Sequence, residues 1–316
     1  MSGEYPSSVL YDEPPKLINV ELGGESVRFQ YTLKMKISDV YSELARLAHT
    51  TVKRLILSYI PFGETFYVVL LNCEDVFSQV RISPGSNLKI SIMGPSINYR
   101  FGQILINLFP LLIFSTIFLF RDFIYSIYDS EDDSLSLAQV AGLFLWDIHF
   151  IKRVLESAVL HSFTRKSIEI TSLLSNFAYL ISFGVWIGLT LFKPTFYPPE
   201  TVSVEIGSII FIIGLIMNFI CHVHLRRLRS SKDKDRRTEH PLPQLKPFNL
   251  VVCPNYLFEV VMWLGFYFTI QTIESFVFLI VVLFRMVINA REKKLHYISQ
   301  NPEYNRDKNL VIPYII

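Results

Sequence analysis

The chain has 316 residues, 51% hydrophobic and 14% aromatic, with a mean hydropathy of +0.35. Soluble domains rarely reach that hydropathy, so the composition implies a polytopic membrane protein. The net charge of +2 is unremarkable and no nucleic-acid partner is expected, while three distant cysteines, Cys73, Cys221 and Cys253, give neither a disulfide framework nor a metal cluster.

Residues 1–60 hold no apolar run behind a basic start, so no signal peptide is expected and the first hydrophobic span would act as an uncleaved anchor. Lys16–Val20 and Val27–Tyr31 flank Gly23-Gly24 and read as a β-hairpin. Ser38 is placed to cap a helix running to about His49, with Val40, Leu44 and Leu47 as its apolar stripe. Strands follow near Leu55–Tyr59, Phe66–Leu71 and Leu88–Ile92. Hairpin, helix, then strands is the order of an α+β ubiquitin-like (β-grasp) domain, an order that other α+β domains share. We place this domain at residues 1–95 and a membrane-embedded domain at 96–316.

From residue 104 the pattern becomes an all-α polytopic bundle of about six transmembrane helices. The expected spans are Ile104–Phe120, Leu135–Ile151, Thr171–Phe192, Glu205–Leu225, Leu250–Ile270 and Ser275–Asn289. Basic residues sort the connections. The 152–167 loop, the 225–247 loop and the tail after 290 are rich in Lys and Arg, whereas one alternate connection holds the acidic run Glu131-Asp132-Asp133. The positive-inside rule makes the basic set cytosolic and leaves both termini in the cytosol.

Four groups of residues carry potential chemistry. In V-C-P-N-Y-L-F-E-V, residues 252–260, Asn255, Tyr256 and Glu259 fall within one helical turn of an apolar span, and Tyr256 and Glu259 at i,i+3 would put a proton donor beside an acid. In H-F-I-K-R-V-L-E, residues 149–156, His149, Lys152, Arg153 and Glu156 share a helical face. That face suits a cavity wall, and equally a juxtamembrane helix whose Lys and Arg snorkel with Glu156 paired to Lys152. Asn218 and His222, followed by Arg226 and Arg229, suit an anion funnel or a plain helix end with positive-inside arginines. Lys293, Lys294 and Tyr297 suit phosphate contacts or surface. His161 reads as an interfacial histidine. There is no G-x-G-x-x-G, P-loop, H-E-x-x-H or G-x-S-x-G sequence, so Rossmann, P-loop, zinc-protease and hydrolase sites are not expected, and no metal is.

The runs at 149–164 and 218–229, C-P-N-Y-L-F-E at 253–259, A-R-E-K-K-L-H-Y at 290–297 and the closing V-I-P-Y-I-I resemble the steroid 5α-reductase superfamily, and within it the very-long-chain trans-2-enoyl-CoA reductases. G-P-S-I-N-Y-R at 94–100 behind a ubiquitin-like domain fits that branch. The resemblance implies NADPH-dependent reduction of the C2=C3 double bond of a long-chain enoyl-CoA, the last step of fatty acid elongation, in the endoplasmic reticulum membrane beside other elongation-cycle enzymes. It implies Tyr256 as proton donor with Lys152 and Glu156 from a K-R-x-x-E motif. Asn218, Arg229, Asn255, Glu259 and Tyr297 match positions around the cofactor; we assign Lys293 to the cofactor as well, and Arg153 and His149 to the substrate. The chain departs from the family at Ser96, where Gln is usual, in a first span without an acid, and at His222, where steroid reductases carry an acid. A steroid or polyprenol reductase of the same fold, or a membrane scaffold with a ubiquitin-like domain, stays open.

Overall fold

The structure, a computed structural model, describes residues 16–22, 25–32, 34–60, 68–70, 88–126, 134–161, 167–230, 246–300, 304 and 307–313. The Gly23-Gly24 turn, the acidic run 131–133, the loop 231–245 and the last three residues lie outside these. Two compact units divide between Gly94 and Pro95.

In the first unit β1 (Lys16–Leu22) pairs antiparallel with β2 (Glu25–Tyr31), with Ile18 opposite Phe29. α1 spans Ile37–Leu47, followed by β3 (Leu55–Tyr59), β4 (Val68–Leu70) and β5 (Leu88–Ile92). The sheet order is β2-β1-β5-β3-β4, with β1 and β5 parallel. Alternation decides which face is buried: Ile18 and Val20, Leu55 and Leu57, Leu88 and Ile90 all turn inward. Val40, Tyr41 and Leu44 of α1 pack on them. Two expectations for α1 need correction. Its N-cap is Lys36, with no side-chain cap, and Ser38 lies in the first turn. Leu47 is exposed, and Ile37, Ala45 and Ala48 complete the buried stripe instead.

The second unit opens with a short ribbon that the sequence did not suggest, β6 (Ser96–Asn98) antiparallel to β7 (Ser167–Glu169). Asn98 then caps α2 (Tyr99–Leu119), its side chain accepting from Phe101 N–H at 3.2 Å. A four-residue α3 (Arg121–Ile124) follows. α4 (Leu137–Leu155) starts on a capping box made by Ser136 and Gln139 and runs into a π-helical turn, Glu156–Leu160. Next come α5 (Ile170–Leu191), α6 (Thr201–Ser230), α7 (Lys246–Leu250), α8 (Pro254–Ile270) and α9 (Ile273–Gln300).

Among the described residues four helices are long and apolar enough to cross a membrane: α2, α5, residues 201–228 of α6 and residues 273–295 of α9. The two remaining expected spans are helices outside that set. α4 carries Asp147, Lys152 and Arg153, and α8 has only 17 residues. The fifth expected span also starts too early. Val251 bridges to Asn309, and the helix begins only at Pro254, whose missing N–H costs nothing at a helix start. Outward-facing Phe123, Phe144, Val159 and Phe284 are each at least 66% exposed. A bundle whose exterior is this apolar is built for lipid.

Trp146 of α4 sits at the centre of the helical core. It stacks on Phe114 at 4.7 Å, meets Trp263 at 5.6 Å and donates its indole N–H to the Pro110 carbonyl at 3.2 Å. α6 and α8 approach so closely that only glycine fits between them. A Cβ on Gly265 would lie 2.6 Å from the Gly207 oxygen, and one on Gly214 would lie 2.7 Å from the Met262 nitrogen. This seam carries the polar residues described next.

Candidate active site

α4 presents His149, Lys152 and Arg153 on its inner face, and the π turn adds one residue to the repeat just where Glu156 enters. Such turns recur at functional sites because they displace one side chain without ending the helix. The π turn is closed by His161 N–H donating to the Glu156 carbonyl at 2.7 Å. Arg100 of α2 donates to the Ala158 and His161 carbonyls at 2.7 and 3.3 Å, satisfying backbone groups that the turn leaves open.

Around Glu156 the charges close on themselves. Its carboxylate is 3.0 Å from Lys152 Nζ, accepts from Arg153 at 3.1 Å and lies 3.3 Å from His222 Nδ1 of α6. Lys152 Nζ also donates to Asn218 Oδ1 at 2.5 Å. Asn218 Nδ2 in turn donates to the Asn255 carbonyl at 2.8 Å and to Glu259 Oε2 at 2.9 Å, crossing from α6 to α8. The other Glu259 oxygen is 3.6 Å from His149 Nε2, and His149 Nδ1 lies 3.2 Å from Met262 Sδ. His149, Glu156, Asn218, His222, Asn255 and Glu259 are all buried. Two cations face two carboxylates, which is the condition for holding charge inside an apolar bundle. The expected i,i+4 pair of Glu156 with Lys152 is therefore present, within a buried network and not on a snorkelling surface.

Tyr256 belongs to a neighbouring cluster. Like Leu257 and Tyr297 it packs on the cluster of Val252, Cys253, Ala290 and Val311, and Lys293 Nζ of α9 lies 4.6 Å from its ring centre. Tyr256 and Glu259 thus turn to different partners: no hydrogen bond joins them among the described residues, and Glu259 faces α4 and α6. The side-by-side donor and acid expected from their spacing is corrected on that point. The entry to α8 is held by the chain's far end, where the Asn309 and Leu310 carbonyls accept from the Val252 and Cys253 N–H groups at 2.8 and 3.1 Å. Tyr297 is half-buried beside Tyr304. The backbone of Arg229 is helical, and its side chain lies outside the described residues.

Sequence spacing alone missed one participant and two polar pairs elsewhere in the bundle. His161 Nε2 stands 2.9 Å from His222 Nδ1, so it joins the network and is more than an interfacial histidine. Glu156, His161 and His222 offer ligand atoms within 4.8 Å of one another, the convergence of a three-ligand cation site. Arg153 and Lys152 on the same carboxylate already supply positive charge there. Arg285 of α9 donates to Asn176 Oδ1 at 2.7 Å and lies 4.5 Å over the Tyr179 ring. Asp147 accepts from Ser115 Oγ at 3.1 Å. An Arg in an apolar span is itself a sequence signal for function; the histidine pair had none, since its members are 61 residues apart.

Residues 166–316 match the family described as 3-oxo-5-alpha-steroid 4-dehydrogenase. This segment holds the α6, α8 and α9 site residues, while the α4 residues precede it. A very-long-chain enoyl-CoA reductase of Dictyostelium discoideum is 28% identical over 244 residues, covering 77% of this chain and 78% of that one. A Caenorhabditis elegans protein named for the same activity is 27% identical, covering 72% and 75%. The human trans-2,3-enoyl-CoA reductase-like protein is 26% identical over 66% of this chain and 58% of its own. Among solved structures, the C-terminal ubiquitin-like domain of mouse tubulin-specific chaperone e is 19% identical over 28% of this chain and 97% of that chain, with a TM-score of 0.25, too low to argue from. Residues 166–316 are therefore similar to the steroid 5α-reductase family, in a chain similar over most of its length to proteins named very-long-chain enoyl-CoA reductase.

Proposed function

We propose that this protein uses NADPH to reduce the C2=C3 double bond of a very-long-chain trans-2-enoyl-CoA, the last step of fatty acid elongation. The observation that carries the proposal is the buried network joining Lys152, Glu156, Asn218 and Glu259 across α4, α6 and α8, next to Tyr256, in a chain similar to enoyl-CoA reductases. An apolar bundle tolerates so many buried polar groups where they serve a site.

When bound, NADPH supplies a hydride to C3. Amides and cations are the right donors for it: Asn218 and Asn255 are buried on α6 and α8, and in this reading Arg229 and Tyr297, near the ends of α6 and α9, take the phosphates. Glu259 holds Asn218 in place through its hydrogen bond. Tyr256 holds a proton for C2. Lys152, oriented by Glu156 and Asn218, is a cation near the charge that develops on the thioester oxygen, and Arg153 and His149 flank it on α4. The acyl chain lies between apolar helices, in contact with membrane lipid.

In this reading α4 and α8 complete six spans. At roughly 1.5 Å per residue, their 19 and 17 residues come close to a hydrocarbon core of about 30 Å. Both termini are then cytosolic, in the endoplasmic reticulum membrane, beside other elongation enzymes. We read residues 1–95 as a cytosolic ubiquitin-like domain; its sheet order with α1 between β2 and β3 supports this.

The test is NADPH oxidation by purified protein in micelles. A long-chain 2-enoyl-CoA is expected to be reduced. A 3-oxo-4-ene steroid, the substrate class suggested by the matched family's description, is not. Turnover of the steroid alone would move the protein to the steroid branch.

A further inference from the structure

The sequence leaves Lys293 as a phosphate contact of the cofactor or a surface residue, and its position in the bundle suggests another role. Lys293 and Lys294 are adjacent on α9 and point to different places. Lys294 Nζ donates to the Lys308 carbonyl at 2.9 Å and so tethers the tail. Lys293 Nζ lies 4.6 Å from the Tyr256 ring centre. Among the described residues no carboxylate pairs with it. The Tyr256 side chain itself packs on Val252, Cys253, Ala290 and Val311, all buried. An ammonium in such a wall has its charge directed at whatever negative charge arises nearby. Two backbone hydrogen bonds from Val252 and Cys253 to the tail fix the start of α8, so Tyr256 is held from its backbone as well as from its ring.

We propose that Lys293 is a positioning residue for Tyr256. It holds the ring by a cation–π contact and offsets the charge left on the phenol oxygen when the proton leaves. The inference rests on the proposed reductase function. In the step concerned, two electrons reach C3 as hydride from NADPH. The Tyr256 O–H bond breaks, its proton forms the new bond at C2, and the phenolate regains a proton from water. A lysine that faces this phenolate acts on the rate of the step and not on cofactor affinity.

The experiment compares wild type with Lys293→Met, Lys293→Arg, Tyr256→Phe and the Tyr256→Phe/Lys293→Met double variant, as full chains in micelles. It measures kcat, the Michaelis constant for NADPH, and NADPH binding by fluorescence. Lys293→Met is expected to lower kcat about a hundredfold, the scale of one lost electrostatic contact, and to leave NADPH binding within about twofold. Lys293→Arg should recover most of the rate, which a loss through misfolding would not predict. The double variant should be no slower than Tyr256→Phe alone, because residues acting as one unit are not additive. A raised Michaelis constant for NADPH with unchanged kcat in Lys293→Met would return Lys293 to the phosphates and overturn the inference. Fully additive losses would overturn it too. A wild type that binds NADPH but never oxidises it with an enoyl-CoA would instead sink the functional reading, and this role with it.

Discussion

Asn218 donates to the Glu259 carboxylate at 2.9 Å across the seam between α6 and α8, a bond that depends on glycines placed elsewhere along the same two helices. Gly207 and Gly214 on α6 and Gly265 on α8 let the backbones approach until no Cβ fits. Side chains as short as Asn and Glu meet only at that separation.

Gly265→Ala should therefore act at a distance. The new methyl would collide with the Gly207 carbonyl and with backbone atoms of Phe211, so the helices must part. Overpacking of this kind costs about 1–3 kcal/mol or more. We expect a lower unfolding temperature in detergent, and weaker NADPH binding because Asn218 and Glu259 separate. An Ala variant with wild-type melting and binding would show that the seam can relax.

Glu156→Gln removes the negative charge shared by Lys152 and Arg153. Both cations would remain in the bundle, with side chains 12% and 23% exposed, and breaking one member of a buried ion pair typically costs about 3–5 kcal/mol. The expected result is strong destabilisation together with lost turnover. Thermal unfolding and NADPH oxidation, measured on the same preparation, check both; a stable and active Gln variant would reassign the charge balance to groups outside this cluster.

Tyr256→Phe keeps the ring that Lys293 covers and removes only the donor. Turnover should fall by about two to four orders of magnitude, the scale of a general acid, with folding and NADPH binding intact. A Phe variant of normal speed would transfer the proton-donor role to another group.

Arg229 is expected to recognise the ribose 2′-phosphate that separates NADPH from NADH. A lost charged hydrogen bond costs about 1.5–3 kcal/mol, so Arg229→Ala should raise the Michaelis constant for NADPH roughly tenfold or more. That for NADH should stay nearly unchanged. Equal loss with both cofactors would place Arg229 on the shared pyrophosphate or on CoA.

Membrane orientation provides a separate check. A glycosylation acceptor engineered near Asp129 should be used in the lumen, whereas one within 231–240 should stay unmodified. The opposite pattern would invert the topology and take the cytosolic cofactor away from the basic loops.

Local chemistry is legible in the amino-acid sequence by itself. Alternating Ile18 and Val20, and Leu55 and Leu57, mark strands. Runs of apolar residues mark where α2, α5, α6 and α9 lie, though α6 extends past the expected span at both ends and α9 runs on well beyond Asn289 to Gln300, because the polar turns that continue a helix carry no hydropathy signal. Asn218, Asn255 and Glu259 stand out as polar residues inside apolar runs. What those residues touch is not legible there. Tyr256 and Glu259 share a helical turn, yet one turns to Lys293 and the other to Asn218 and His149, because the rotation of α8 is fixed by Gly265 against α6. His161 meets His222 only because a π turn shifts the end of α4, and the tail reaches Val252 only because α9 carries it back. These are contacts between residues far apart in sequence, and they follow from how closely and at what rotation the helices pack, which only the tertiary structure decides.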